Sequence, residues 1–564
     1  MSSLAAQVSC AVPGAGCKPA RAQRFTNQRR YVVKKQQICI GTVILGLLLA
    51  LAVGPISITA SPRDFDGDGY ADLVIGVPYE NVSSTTDAGS VSVVYGTSAG
   101  LSGTGNEYWV QDYLDGSDSE TYEYFGRALA VGDFDGDGYF DLAVGVSHED
   151  VGSVSQAGAV NVIYGSASGG LDVAGNQYWN QDEPGMAGGA ETNDHFGWAL
   201  AAGDFDGDGY DDLAIGIPDE DISTTVDAGG MMVMYGSASG LTAANTVRNQ
   251  EGAAETGDQY GKALAAGDFD NDGYDDLAVG IPSEDLGSIA NAGAVDIYYG
   301  SASGLITRVS NDFWPQDRSG VADTADEHDF FGSSLTVGDF DGDGYTDLAV
   351  GVPHEDVGSP AVVDAGAVNV LYGSASGITG SGSDYWHQDA SGIGSLNEDS
   401  DRFGFALTAG DFDGDGYKDL AVGVPYEHWN EADTGIVQVL YGTADGLSGA
   451  GDQLWRQDIS GIADVEEADD RYGYALAAGN FDGDGYDDLA IGVPYEAIGS
   501  TDQAGAANVL YGSDLGLTAA GSQFWYQGSG GLQGSAETGD RFGWALAALP
   551  RVRTTVYLPL ILRN

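Results

Sequence analysis

Past residue 39 this 564-residue chain has no cysteine; its three, Cys10, Cys17 and Cys39, all lie near the start. Disulfides, thiol catalysis and thiolate metal sites are therefore excluded from the rest of the sequence. Basic residues are scarce as well. Only 21 Lys and Arg stand against 85 Asp and Glu, and seven of the 21 fall within residues 1–60, where there is no acid. The remainder carries a negative field that repels nucleic acid and anionic membranes and favours multivalent cations. Such acidity often accompanies disorder, but an aromatic content of 10% and regular apolar segments argue for a folded chain.

Long apolar runs are missing too, with one exception. Residues 38–60 follow a basic flank (Arg29, Arg30, Lys34, Lys35) and run apolar to Val53 before small residues take over. That is the layout of a secretory signal, with A-x-A at Ala50-Leu51-Ala52 and a second candidate site after Ala60. An uncleaved anchor is the competing reading. The expected organisation is a basic region at 1–37, a signal peptide or anchor at 38–60, the main body at 61–548 and a tail at 549–564. The body is expected to be secreted or displayed at the cell surface.

What the chain has in excess is glycine, 88 residues, placed at fixed intervals between short apolar strands. Acidic loops begin at Asp64, Asp133, Asp204, Asp268, Asp339, Asp411 and Asn480, spaced 64 to 72 residues apart. An FG-type dipeptide begins at Phe125, Phe196, Tyr260, Phe331, Phe403 and Tyr472, each eight residues before a loop, and a seventh at Phe542 has no loop after it. Each unit holds four strand-like segments. The last ends in a Gln (Gln111, Gln181, Gln250, Gln316, Gln388, Gln457, Gln527), with Trp two residues earlier in every unit but the third, which has Arg248. Seven units of four strands predict an all-β fold, a seven-bladed propeller of four-stranded antiparallel blades. The first unit lacks an inner strand, and the segment ending at Ala548 is nothing but one. Together they predict a blade shared by the N- and C-terminal strands, which closes the ring without an open edge. The segment ISITA at 56–60 competes for that inner position.

The loops place oxygen donors at positions 1, 3, 5 and 9, with Tyr at position 7 offering its carbonyl. The seven candidate sets are Asp64, Asp66, Asp68, Tyr70 and Asp72; Asp133, Asp135, Asp137, Tyr139 and Asp141; Asp204, Asp206, Asp208, Tyr210 and Asp212. They continue with Asp268, Asp270, Asp272, Tyr274 and Asp276; Asp339, Asp341, Asp343, Tyr345 and Asp347; Asp411, Asp413, Asp415, Tyr417 and Asp419. The last is Asn480, Asp482, Asp484, Tyr486 and Asp488. Four carboxylates in nine residues repel one another unless a cation sits among them. Oxygen ligands on a flexible turn suit calcium, up to seven ions. No Glu stands at position 12, so these are not EF-hands. Asn480 replaces a carboxylate, so the last site is expected to be the weakest.

The FG segment, the D-x-D-x-D-G-x-x-D loop and the G-V-P or G-I-P that follows (Gly76-Val77-Pro78, Gly216-Ile217-Pro218, Gly492-Val493-Pro494) resemble the FG-GAP repeat of the integrin α-subunit propeller. The second unit departs from it with Ser147 in place of Pro. The resemblance implies a seven-bladed propeller with calcium in the loops between first and second strands. Nothing similar to the integrin leg domains follows.

The turns at the other end of the blades are acidic and periodic as well. An acid stands two residues before each FG-type dipeptide (Glu123, Asp194, Asp258, Asp329, Asp401, Asp470, Asp540), and a Glu follows each G-V-P motif (Glu80, Glu149, Glu220, Glu284, Glu355, Glu427, Glu496). Capping of turns by these carboxylates is the plain reading. A second cation set or a surface for a basic partner are the alternatives. Structural positions repeat from blade to blade, whereas functional ones vary. The residue after the FG-type dipeptide varies most: Arg127, Trp198, Lys262, Ser333, Phe405, Tyr474 and Trp544. All but Ser333 are candidate partner-binding residues, and in integrins the corresponding face carries an aromatic cup for the partner subunit.

Catalysis needs one unsymmetrical constellation, and nearly every acid here has six counterparts. The sequence therefore predicts no catalytic residues and no enzyme. It predicts an exported, monomeric, calcium-binding module for adhesion or protein interaction, with a protein or glycan ligand at the cell surface and no nucleic-acid partner. A secreted polysaccharide-active enzyme or carbohydrate-binding subunit is the alternative.

Overall fold

A computed structural model describes residues 64–549, apart from 115, 117, 118, 168, 244, 245, 251–253 and 308–311. The N-terminal region, the signal or anchor segment with ISITA, and the tail beyond Leu549 lie outside the described residues. No helix among those described is long and apolar enough to cross a membrane.

Seven antiparallel sheets follow one another along the chain. In the second blade Ala128–Gly132, Asp141–Val146, Ala159–Gly165 and Leu171–Trp179 pair in that order. Every residue of Asp141–Val146 is buried, as is every residue of Leu73–Val77 in the first blade. A strand covered by neighbouring sheets on both faces has no polar side to alternate, so it reads as one apolar run. The inner strands use small residues, such as LAAG at Leu200–Gly203, because seven of them converge on one axis. The fourth-strand Trp series packs within and between blades, with Trp109, Trp314, Trp455 and Trp525 buried.

The dipeptides that define the repeat form the seams between blades. A Cβ on Gly76 would lie 2.1 Å from the carbonyl oxygen of Gly126 in the next blade, and Gly423 stands in the same relation to Gly473. Gly126 also has φ near +91°, so a side chain is refused twice there. Beside it Phe125 is fully buried and donates its amide to Ala88 of the preceding blade at 3.0 Å. FG and G-V-P are thus two halves of one blade-to-blade contact.

The first blade draws on both ends of the described chain. Ala545–Ala548 pairs antiparallel with Leu73–Val77, Leu73 opposite Ala548 and Gly76 opposite Ala545. The third blade departs from four strands. Leu200–Gly203, Asp212–Ile217 and Gly230–Met234 form its sheet, and among the described residues the fourth strand is represented by a bridge between Met231 and Arg248. Arg248 occupies the Trp position there, and its Nη2 donates to the Leu305 carbonyl of the next blade at 2.7 Å. The side chain that packs the other outer strands onto their sheets is the one this blade lacks.

Candidate metal loops and an axial cluster

Six of the acidic loops join an inner strand to a second strand, and the first leads into the second strand of the blade whose inner strand is Ala545–Ala548. The position-9 Asp is fully buried in all seven blades. One oxygen of Asp141 accepts the Phe134 amide at 2.7 Å and the other accepts the Gly165 amide at 2.9 Å. Asp488 does the same with Phe481 and Gly512 at 2.7 and 2.9 Å. This carboxylate ties its loop to the end of the third strand. Position 1 holds the turn: Asp204 accepts the amides of Gly207, Asp208 and Gly209 at 2.7, 3.1 and 3.0 Å. Position 5 is exposed, and Asp208 accepts the Tyr210 amide at 3.1 Å.

In the second to fifth loops the carboxylates at positions 1, 3 and 9 each bring an oxygen within 4.8 Å of the others; in the first loop positions 1, 3 and 5 do so. Burial, reinforced by Asp68 and Asp64, pushes Asp66 up to about 6. Burial pushes Asp141 up to about 9 and Asp212 to about 8, with their loop partners adding repulsion. Clustered oxygens whose charges resist one another are a donor set for a hard cation. In the last loop Asn480 keeps its Oδ1 buried and without a protein partner, an acceptor that fits the same use.

The position-7 Tyr contributes more than a carbonyl. In six of the seven loops position 4 is Gly and the Tyr ring of the next loop lies over it, so a Cβ on Gly136 would meet Tyr210 at 2.6 Å and one on Gly483 would meet Tyr70 at 2.5 Å; the fourth loop has Asn271 there. Backbone bonds run the same way: Asp211 donates to Asp133 O at 3.0 Å, and Ala71 to Asn480 O at 3.1 Å. The loops are therefore chained around the ring, the seventh to the first.

At the other end of the inner strands the acids before the FG dipeptides cap turns. Asp194 accepts the Glu191 amide at 2.6 Å, and Asp540 accepts that of Glu537 at 2.5 Å. The Glu after G-V-P has a different partner, the conserved-position Gln of the preceding blade. Gln111 donates to Glu149 at 2.8 Å, Gln181 to Glu220 at 2.6 Å and Gln316 to Glu355 at 2.9 Å. The repeat of the Gln was visible in the sequence, but its partner was not.

The six candidate partner residues meet at the axis. Lys262 Nζ lies 3.6 Å from the Trp198 ring centroid, and Arg127 Cζ lies 4.4 Å from Trp198 and 5.5 Å from Trp544. Trp544 stands 4.8 Å from Tyr474, and Tyr474 5.0 Å from Phe405. Around them runs a rim that sequence reasoning missed, built from the residue before each FG dipeptide and the residue after each G-V-P. Tyr79 and Tyr124 lie 4.9 Å apart, His148 and His195 4.6 Å, and His195 Nδ1 is 2.7 Å from Asp219 Oδ2. Burial, with His195 and Arg127 beside it, pushes His148 down to about 3, so its ring is neutral. These registers vary between blades as the inner six do, and that variation was the available signal. All seven residues before the FG dipeptides adopt positive φ, from Tyr124 at 63° to Arg541 at 57°, and none is glycine.

The FG-GAP repeat model matches residues 58–94, 125–163, 196–230, 260–298, 331–371, 403–440 and 472–510. Integrin alpha pat-2 of Caenorhabditis briggsae is 32% identical over 262 residues, 43% of this chain and 19% of that relative. Phosphatidylinositol-glycan-specific phospholipase D of Mus musculus is 33% identical over 160 residues, 28% of this chain and 18% of that relative. The chain thus spans under a fifth of the length of these curated relatives. Among solved structures, the periplasmic gluconolactonase of Pseudomonas aeruginosa is 13% identical with a TM-score of 0.39, covering 80% of this chain and 99% of that one. Seven matched repeats, laid out as seven blades, make this chain an FG-GAP repeat protein with an integrin α-like propeller.

Proposed function

We propose that this chain is an exported, calcium-stiffened propeller that works as a protein-interaction module at or outside the cell surface. The observation that carries this reading is the break in symmetry. Positions that repeat in every blade cap turns, clasp blades or build loops, whereas the variable positions converge on one partly exposed cluster at the axis. Aromatic and Arg side chains gathered in one place are what protein interfaces use as anchors.

Calcium would be held by the carboxylates at positions 1, 3, 5 and 9 and the Tyr carbonyl at position 7. Bound there, it supplies positive charge that offsets their repulsion. The body past residue 39 has no cysteine to do this, so its folding is linked to the ion.

The test is capture from a cell-surface extract in calcium, eluted by chelator, with Trp198→Ala and Trp544→Ala in parallel. A specific partner should be retained by the parent chain and lost by both variants. Retention unchanged in the two folded variants would remove the axial cluster from the binding site.

A further inference from the structure

The axial rim is not uniform. Over the sixth, seventh and first blades three Arg and three Tyr alternate. Arg402 Cζ lies 4.3 Å from the Tyr426 centroid, and Arg471 lies 4.8 Å from Tyr426 and 4.3 Å from Tyr495. Arg541 lies 4.8 Å from Tyr495 and 4.2 Å from Tyr79. In a chain with 85 acids, none of these guanidinium groups forms a salt bridge or donates a hydrogen bond among the described residues, although Arg541 lies near enough to Asp87 to favour its charged form. The Nε of each is buried without a partner. Lys418 and Arg456 elsewhere sit on acids, at 2.7 Å from Asp487 and 3.3 Å from Glu466. Each Arg of the arc shares the positive φ of all seven positions before the FG dipeptides, at 60°, 59° and 57°, so that feature belongs to the repeat and the unpaired guanidinium groups to the arc.

Stacking on Tyr covers the faces of the guanidinium groups and burial closes the Nε side, which leaves the Nη ends of these half-buried side chains, whose N–H donors form a fork matched to a carboxylate. The same stacking engages the Tyr rings, and Trp198 already carries Lys262 and Arg127. A sugar ring needs an open aromatic face, so this geometry favours a carboxylate on a flexible chain over a glycan. A basic segment meets like charge. We propose that the Arg402–Arg471–Arg541 arc docks an acidic segment of a protein partner, its carboxylates entering the guanidinium edges. This rests on the reading of the chain as a protein-interaction module.

The test uses a fluorescent oligoglutamate peptide and its oligoglutamine counterpart, titrated against the full chain in calcium at physiological salt. The rest of the body is strongly acidic, so charge alone offers the peptide no other landing place. Oligoglutamate should bind and oligoglutamine should not. Arg471→Gln should weaken binding about tenfold and the triple Arg→Gln variant further, as expected for charge-assisted hydrogen bonds. Melting curves identify a variant that fails to fold, and the single substitution is then decisive. Absence of oligoglutamate binding by the parent, or equal binding by folded Arg471→Gln, overturns the proposal. So does tighter binding of polygalacturonate that is lost with the same variants. Partner capture that depends on Trp198 but ignores Arg471→Gln sinks the arc and leaves the interaction module standing. Peptide binding that tracks the Arg residues without any captured partner does the reverse.

Discussion

Gln527 of the seventh blade donates its Nε2 to Glu80 Oε2 of the first at 2.5 Å, across 447 residues of chain. It is the ring-closing copy of a bond that, in Gln111–Glu149, Gln181–Glu220 and Gln316–Glu355, joins residues only 38 or 39 positions apart. Glu80 has a second donor in the Tyr108 hydroxyl at 3.2 Å.

Gln527→Leu keeps most of the side-chain volume and deprives a buried carboxylate of its closer donor. The expected loss is about 1–3 kcal/mol, read as a melting temperature lower by a few degrees. Adding Glu80→Leu should restore part of it, because no buried charge is then left unpaired. A Gln527→Leu protein that melts with its parent would show that the clasp contributes nothing.

The clasps also set a pH dependence. Burial, with Asp470 and Asp464 adding repulsion, pushes Glu496 from 4.5 up to about 9. The folded chain therefore holds a proton that the unfolded chain has already released. The stability attached to it is complete below about pH 4.5 and disappears as pH rises through about 9. Glu496→Gln keeps an acceptor for Gln457 and abolishes the titration. In saturating calcium it should melt with the parent near pH 5 and several degrees above it near pH 9. A difference that does not grow with pH would refute this.

Positions 5 and 9 of a metal loop should behave differently. Asp488→Ala strands the Phe481 and Gly512 amides, which costs about 1–3 kcal/mol of stability per lost bond and should lower the melting temperature both in calcium and in chelator. Asp484→Ala touches an exposed carboxylate and should lower it in calcium alone. Chelator by itself should lower the parent. A parent melting curve indifferent to chelator would end the idea that the ion stiffens the fold.

Much of this molecule was legible because it repeats. A loop with an ambiguous ligand pattern is weak evidence once and strong evidence seven times, and the FG and G-V-P glycines mark seams for the same reason. The gathering of the variable positions at the axis was read from the sequence, but the specific pairings between blades were not. The Tyr210 ring over Gly136, the Gln181–Glu220 clasp and the alternation of Arg471 with Tyr426 and Tyr495 each need the neighbouring sheet to be in place. Periodicity shows that a position matters, but it does not say against what. The weaker outer pairing among the described residues of the third blade was foreshadowed by Arg248 alone, since a lost Trp does not by itself reveal how much pairing goes with it.

The pairing of Ala545–Ala548 with Leu73–Val77 has a mechanical side. Leu73, where the chain enters this sheet, lies directly opposite Ala548, where it leaves. Tension applied between the two ends would therefore peel these strands apart bond by bond from that pair rather than slide them in shear. Tension between one end and a ligand held at the axis would not load that pair first. A propeller closed in this way withstands pulling better when it is tethered by a single terminus.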